Sequence, residues 1–265
     1  MATPENIARL HAGEEKLRVE ALRRIAEQPD LTMHLAMVER SMDLIHALLP
    51  STAVKDANQL ALGNLGIRIF NAIAVALKLL LSGYYQASAL QLRDVLETTF
   101  LLDYFSTDVT LVEQWRTNPE ADRMKTFGPA KVRIALDKRD GFTGSKRKKA
   151  YDLLCILAGH ATPEGAIMLV PDRNATTVHC GPFLEETALL AVLSECASLA
   201  TQAAIVFCAV IKDENLDQME ARITFMGAPS EWFKRFFARE LDQAKIDELK
   251  ILLASARMEH QTVGH

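Results

Sequence analysis

The sequence contains few cysteines and no segment typical of a secretion signal. Only four cysteines occur among the 265 residues, at intervals that match neither the CxxC pairs of a metal site nor a dense disulfide framework. The first ten residues, MATPENIARL, contain no basic region followed by an apolar run, which a secretion signal requires. We therefore expect a cytoplasmic protein whose thiols are reduced and buried.

Strong catalytic signatures are also missing. The sequence has no glycine-rich phosphate loop, no HExxH or GxSxG motif and no dinucleotide fingerprint, which are the short motifs that identify a mechanism by themselves. We therefore expect no cofactor and no metal ion, and the candidates that remain are weaker combinations of arginine, glutamate, histidine and lysine.

Helical periodicity extends over most of the chain. Apolar residues make up 49% and charged residues 24% of the sequence, as in an ordinary globular protein, and apolar positions recur every three or four residues, the period of an amphipathic helix. The pattern predicts one all-α domain, a bundle of about eight to ten helices. It comprises an exposed N-terminal helix (residues 1–29), a core bundle (60–211) with an antiparallel hairpin, and C-terminal helices (229–256).

One short region departs from this period. The runs 167–170 and 176–180 are rich in β-branched residues and flank a turn-forming cluster at 171–174. Such a pattern is typical of two short strands joined by a turn, so the sequence predicts one small β-hairpin near residues 167–180.

The stretch from 187 to 211 contains a single charged residue before its end, Glu195. Its length meets the criterion for a membrane span, but Ser194, Glu195 and Gln202 near its middle oppose insertion into lipid. We therefore interpret it as a buried core helix and expect no membrane partner. Because an unpaired buried charge is costly, Glu195 is predicted to point inward and meet an arginine or lysine, with Arg93 as one candidate.

Arg93 and Glu97 are the first candidate site residues. They are four residues apart and so share one face of a helix, and their neighbours Leu92, Leu96 and Phe100 leave little polar surface around them. Two interpretations stay open, a structural salt bridge between packed helices and a polar cluster that binds an anionic ligand.

His160 is the second candidate. It follows the predicted helix 146–158, and the C-terminal end of a helix stabilises a protonated imidazole. It is interpreted either as a structural hydrogen-bonding residue or as a general acid–base group.

The third candidate is a basic segment in an otherwise acidic chain. Residues 123–149 contain ten lysines and arginines against two aspartates, although the whole chain carries a net charge of −4. Such a segment is either a solvated surface or a site that attracts phosphates, including those of RNA. The residues predicted to bind phosphate are Arg133, Lys146, Arg147, Lys148 and Lys149.

The order of these features resembles a known group of proteins. A helix ending at Ser82 and Gly83, an arginine and a glutamate on the next helix, and a later histidine before a predicted hairpin resemble uncharacterised bacterial helical proteins, over residues 60–211. Some of those are similar to the HEPN group of nucleic-acid-associated proteins, and that resemblance implies metal-independent RNA cleavage. The usual HEPN motif places a histidine a few residues after the arginine, whereas the first histidine after Arg93 is His160.

These observations favour a cytoplasmic binding or interaction module, linked by the resemblance to stress or phage defence. The alternative is a metal-independent ribonuclease or nucleotide-processing enzyme in which His160 is the acid–base group and Arg93 stabilises phosphate charge. We also expect a homo-oligomer, a dimer formed through an apolar helix face, with RNA or another anion as the ligand.

Overall fold

The computed structural model describes residues 3–50, 54, 56–172, 180–213, 215–227 and 229–263, and these residues form an all-α bundle, as predicted. Its α-helices are α1 (Glu5–Glu27), α2 (Pro29–Leu48), α3 (Ala57–Leu81), α4 (Tyr85–Phe105), α5 (Thr110–Thr117), α6 (Glu120–Phe127), α7 (Pro129–Arg139), α8 (Lys146–Leu154), α9 (Glu186–Val210), α10 (Leu216–Gly227), α11 (Ser230–Phe237) and α12 (Gln243–Val263). A π-helical turn (Cys155–Gly159) and a 3-10 turn (Gly165–Leu169) lie between α8 and α9.

Local sequence explains where several helices begin. The Asp56 carboxylate accepts a hydrogen bond from the backbone N–H of Asn58 at 2.8 Å, and so caps α3. The Glu185 carboxylate accepts from the N–H groups of Thr187 and Ala188 and caps α9. Such carboxylates satisfy backbone donors that have no partner within the helix.

The core lies between the α3–α4 hairpin and α9, which packs on α2, α3 and α4. Ile69 and Ile73 of α3, Val95 of α4 and Phe207 of α9 are fully buried there. The ring of Phe207 lies against Gly66 so closely that a Cβ at position 66 would overlap it. Burial of these side chains removes apolar surface from water, which is the main force that holds the helices together.

A tight turn connects α3 to α4. Gly83 has a φ of +83°, in the left-handed region that favours glycine, and its carbonyl accepts a hydrogen bond from the Phe183 N–H at 3.3 Å. A Cβ at position 83 would lie 2.8 Å from the Phe183 nitrogen. The turn therefore requires glycine, and it ties the α3–α4 hairpin to the segment before α9.

The predicted β-hairpin near residues 167–180 is wrong. The described residues contain no strand, and its first half falls in the 3-10 turn Gly165–Leu169; residues 173–179 lie outside the described part. The turn is fixed from α4, since the Gln86 amide donates to the carbonyls of Leu157 and Gly165 at 3.1 and 3.0 Å. A run of four or five apolar residues is too short to show whether its repeat is that of a helix or of a strand, and it gives no sign of a contact with Gln86.

Glu195 is also placed differently from its prediction. It is solvent-exposed on α9, where Leu193, Cys196 and Ala200 face the core instead, and it makes no ion pair with a described residue. Nearby protein atoms desolvate its carboxyl and raise its pKa above the ordinary value. Exposure to water on one side removes the need for the cationic partner that full burial would demand.

Two helices, α3 and α9, are long and apolar enough to cross a membrane by length and composition alone. About half of the most apolar window of each is buried inside the protein, 44% for α3 and 56% for α9. A core helix of a globular protein passes the same test, so the feature fits the interpretation of α9 as a core helix.

All four cysteines are free thiols. Cys155 and Cys196 are buried and Cys208 is partly buried, whereas Cys180 is exposed, contrary to the expectation that all four are buried. Burial raises the pKa of the Cys196 thiol to about 12, and a thiol that stays protonated is a poor nucleophile.

Candidate functional site

Helices α4, α7 and α8 and the π-helical turn meet on one side of the bundle. Each contributes to a compact group of side chains: Arg93 and Glu97 lie on α4, Arg133 on α7 and Tyr151 on α8, and Gly159 of the turn packs against Arg93. We call Arg93, Glu97, Arg133 and Tyr151 the arginine–tyrosine cluster.

Tyr151 lies between the two arginines of this cluster. The guanidinium carbon of Arg133 is 4.0 Å from the centroid of the Tyr151 ring, and that of Arg93 is 5.4 Å from it. Cations within about 6 Å of an aromatic face are attracted to it. Burial, a hydrogen bond with Cys155 and the charge of Glu97 raise the pKa of Tyr151, while Arg93 acts in the opposite direction.

Arg93 is half-buried and is held from two sides. Its Nη2 lies 3.9 Å from a carboxylate oxygen of Glu97, a long ion pair within α4. On the other side, a Cβ at Gly159 would lie 2.8 Å from Nη1 of Arg93, so the missing side chain at position 159 gives the guanidinium its space. Arg93 therefore contacts the chain one residue before His160.

His160 follows the π-helical turn, and its backbone N–H donates to the carbonyl of Cys155 at 2.9 Å. Its side chain is exposed and makes no hydrogen bond or ion pair with a described residue. The structure thus brings Arg93 and Glu97 together, and Arg93 contacts Gly159, the residue before His160. The side chains of Arg93 and His160 do not form a hydrogen bond with each other.

Arg133 has the most unusual environment in the cluster. It is only 9% exposed, and its Nε and Nη1 atoms are buried without a hydrogen-bond partner among the described residues. A buried donor without a hydrogen-bond partner lowers the stability of the fold by about 1–3 kcal/mol, and by more when it is charged. Stacking on Tyr151 compensates for part of this cost, and a ligand that accepts hydrogen bonds would compensate for the rest.

Arg133 lines a cleft of about 180 Å³ between the α3–α4 hairpin and helices α5 to α7. Its polar lining also includes Glu97, Thr98 and the pair Arg68–Asp94, whose side chains are 2.5 Å apart. Its apolar walls are formed by Leu65, Phe100, Leu101, Trp115, Phe127, Pro129 and Val132. The cleft is therefore apolar with a few convergent charges, the usual character of a small-molecule site.

The other predicted phosphate-binding residues lie outside this cleft. Arg147 is bound into a carboxylate cluster, with Asp137 at 3.0 Å, Asp103 at 3.6 Å and Asp140 as partners. Arg139 pairs with Asp103 and Asp140 as well, and the two arginines lower the pKa of Asp140 to about 2. Arg147 thus joins α7, α8 and α4, and its charge is paired with carboxylates within the protein.

The three lysines of the run lie on the outside of α8. The ammonium of Lys146 lies 4.4 Å from the Phe142 ring centroid, Lys148 pairs with Asp152, and Lys149 is exposed. The predicted phosphate-binding set is therefore divided: Arg133 in the cleft, Arg147 in the carboxylate cluster, and the lysines at the surface.

A larger cleft, of about 590 Å³, lies between the 3-10 turn and the start of α9. Its lining is mainly apolar, including Leu157, Ile167, Phe183 and Val192, with Asp172 and Glu185 as its charged members. Among the residues that the structure describes, its lining includes neither an arginine nor a histidine. The predicted site residue Arg133 and its neighbour Glu97 line the smaller cleft instead. Among the described residues, no group of three or more histidine, cysteine, aspartate or glutamate side chains could hold a metal ion.

Sequence reasoning identified Arg93, Glu97 and Arg133 but missed Tyr151, the residue that joins them. Tyr151 lies two residues after the basic run 146–149, and an aromatic residue close to arginines in the sequence was the available signal. Compared with known proteins, the chain matches no family model, no curated protein and no solved structure.

Proposed function

We propose that the protein is a binding module for a small anionic ligand, whose carboxylate or phosphate group is held by Arg133 in the cleft beside α4. The observation that carries this proposal is the burial of Arg133 with Nε and Nη1 unpartnered among the described residues. A guanidinium donates five N–H bonds in a planar arrangement that matches carboxylate and phosphate oxygens.

The neighbouring residues support this role. Tyr151 stacks against Arg133 at 4.0 Å and so restrains its guanidinium plane before a ligand arrives. Arg93, whose guanidinium carbon is 5.4 Å from the centroid of the same ring, adds a second positive charge. A preorganised donor loses less side-chain entropy on binding, so the arrangement favours recognition of an anion.

Titration calorimetry with inorganic phosphate and with 3-phenylpropanoate tests this proposal and separates the two kinds of anion. We expect saturable binding of at least one probe, weakened tenfold or more by Arg133→Gln, because a hydrogen bond to a charged group contributes about 1.5–3 kcal/mol. Lys131→Gln is the matched control, since it removes an exposed positive charge from the same helix. Equal binding by all three proteins, or no binding by the wild type, would contradict the proposal.

A second candidate function is metal-independent RNA cleavage by Arg93, Glu97 and His160. The observation that favours it is the packing of Arg93 against Gly159, the residue that precedes the exposed His160. In this scheme His160 transfers the proton and Arg93 stabilises phosphate charge.

Incubation with labelled single-stranded RNA, followed on a gel, tests this second function. We expect His160→Ala to abolish cleavage, and the combined change of Lys146, Lys148 and Lys149 to alanine to weaken RNA binding in a salt-dependent way. Arg147 is left unchanged because its ion pairs with three aspartates stabilise the fold. RNA that stays full length with the wild-type protein excludes the ribonuclease.

A further inference from the structure

Two opposite charges in the cleft beside α4 are not paired with each other. Arg133 and Glu97 both line it, yet no ion pair joins them, and among the described residues Arg133 has no ion pair at all. The Glu97 carboxylate makes no hydrogen bond with a described residue, and its nearest cation is Arg93 at 3.9 Å. The cleft is therefore lined by one cation and one anion that do not neutralise each other.

Other opposite charges on this side of the protein pair directly. Arg68 and Asp94, in the same lining, are 2.5 Å apart, and Arg147 contacts three aspartates. Arg133 and Glu97 are each held by a residue outside the lining, Tyr151 for Arg133 and Arg93 for Glu97. The two charges therefore line the same cleft without forming an ion pair with each other.

We infer that the cleft binds a small zwitterion, an α-amino acid with an apolar side chain. Its carboxylate accepts hydrogen bonds from Arg133, its ammonium group donates to the Glu97 carboxylate, and its side chain lies against the walls formed by Trp115, Phe127 and Leu101. Charge-assisted bonds of this kind are about twice as strong as neutral ones. This inference rests on the proposed anion-binding function and specifies its ligand.

The size of the cleft agrees with such a ligand. Its volume of about 180 Å³ is below the roughly 300–1,000 Å³ of pockets that take drug-sized molecules. A cleft of this volume suits a molecule as small as an amino acid, whereas a nucleotide with its base, ribose and phosphates is too large for it. The aromatic and aliphatic walls favour an apolar side chain because they offer no partner to a polar one.

Calorimetry with three related probes tests the inference: phenylalanine, 3-phenylpropanoate, which lacks the amine, and 2-phenylethylamine, which lacks the carboxylate. The same comparison is made with leucine, 4-methylpentanoate and 3-methylbutylamine. We expect at least one amino acid to bind tenfold or more tightly than both of its analogues, because only the amino acid satisfies both charges.

Variants assign the two ends of the ligand. We expect Glu97→Gln to weaken amino acid binding tenfold or more without weakening 3-phenylpropanoate binding, because the acid has no ammonium group to lose and its carboxylate is repelled by Glu97. Arg133→Gln weakens the binding of both. Glu120→Gln, an exposed carboxylate on α6, is the control and should change neither. Circular dichroism confirms that each variant is folded.

The outcomes separate this inference from the proposed function. If an acid and its amino acid bind equally tightly, or if Glu97→Gln affects them equally, the zwitterion is excluded and anion binding by Arg133 stands. If neither the amino acids nor the acids nor inorganic phosphate bind, both proposals are overturned.

Discussion

At the scale of single residues, two buried arginines differ in how their charge is satisfied. Arg147, with a side chain 12% exposed, contacts Asp103, Asp137 and Asp140. Arg133 is similarly buried, but within the described part of the chain it has no ion pair and its guanidinium contacts the Tyr151 ring. Because burial of a charge is costly unless it is paired, the first arginine stabilises the fold, and the second is maintained at a cost that binding would offset.

This contrast predicts opposite effects of the same substitution. Arg147→Met should lower the free energy of unfolding by about 3 kcal/mol, because it leaves the buried Asp137 carboxylate without its ion-pair partner, whereas Arg139 still pairs with Asp103 and Asp140. Arg133→Met should change it by less than about 1 kcal/mol, since the loss of the cation–π contact is balanced by removal of unsatisfied donors. Urea denaturation of both variants measures the difference, and equal losses would mean that Arg133 has structural partners of its own.

His34 links α2 to α11 and gives the protein a pH-dependent contact. It is 3% exposed, its Nδ1 accepts a hydrogen bond from Nε1 of Trp232 at 3.0 Å, and its ring stacks on Phe236 at 4.2 Å. Burial lowers the pKa of His34 below 6.5, against the opposing charge of Asp30, which itself pairs with Arg235. The neutral imidazole is therefore the form that the folded protein prefers.

The stability contributed by this contact should decrease as the pH falls below 6.5. In that range the unfolded chain binds a proton at His34 more readily than the folded protein does, so protonation favours unfolding. We expect urea denaturation of a Trp115→Phe background, followed by Trp232 fluorescence, to show a larger loss between pH 7.5 and 5.5 than the same background carrying His34→Gln. An identical loss in both proteins would assign the pH dependence to other groups.

At the scale of secondary structure elements, the turn between α3 and α4 depends on Gly83. Gly83→Ala should destabilise the protein by about 3 kcal/mol, because it combines a left-handed backbone with overlap against the backbone of Phe183. Gly13→Ala, within α1 and with nothing within 4 Å of the added Cβ, should stabilise it by about 0.5–1 kcal/mol through higher helix propensity. Thermal unfolding of the pair checks both signs, and a tolerated alanine at position 83 would contradict the structure of the turn.

The sequence predicts best those helices in which the apolar repeat continues over many residues. The apolar positions of α3 and α4 repeat over more than twenty residues, and the antiparallel hairpin expected within the core bundle is formed by Ala57–Leu81 and Tyr85–Phe105. Helix α6 was not predicted, because Phe127 is its only buried residue. The 3-10 turn was mistaken for a strand because Gln86, distant in sequence, determines its conformation.

The candidate site was predictable only where its residues share an element. Arg93 and Glu97 lie four apart on one helix, so their common face follows from the helical repeat. The contact of Tyr151 with Arg133 joins different helices, and no local pattern reports it. Burial separates Arg133 and Arg147 from the surface lysines, and a count of positive charges along the chain does not contain that information.

At the scale of the whole molecule, the α3–α4 hairpin carries apolar side chains on its outer surface. Leu60, Ile67 and Val75 of α3 and Leu90 of α4 are between 41% and 49% exposed. Neighbouring exposed apolar residues are a common feature of protein interfaces, and dimers with twofold symmetry are the commonest assembly of identical chains. The homodimer expected from the sequence remains a prediction, and this outer surface of α3 is the face we assign to it.

Light scattering tests the dimer directly. We expect the wild-type protein to have twice the mass of one chain, and the double substitution Ile67→Lys with Val75→Lys to have the mass of one chain, because two lysines cannot be buried unpaired. Ile134→Lys is the control, since Ile134 is 65% exposed on α7, away from this surface. A wild-type protein with the mass of one chain would exclude the dimer.

The exposure of Cys180 has a practical consequence. Because Cys155 and Cys196 are buried and Cys208 is partly buried, a maleimide dye or a nitroxide spin label should react first at Cys180, without removal of the other three cysteines. That position lies three residues before Phe183, whose backbone N–H is bound to the turn at Gly83. A label on the otherwise unaltered chain would thus report spectroscopically on the junction between the α3–α4 hairpin and α9 while ligands are added.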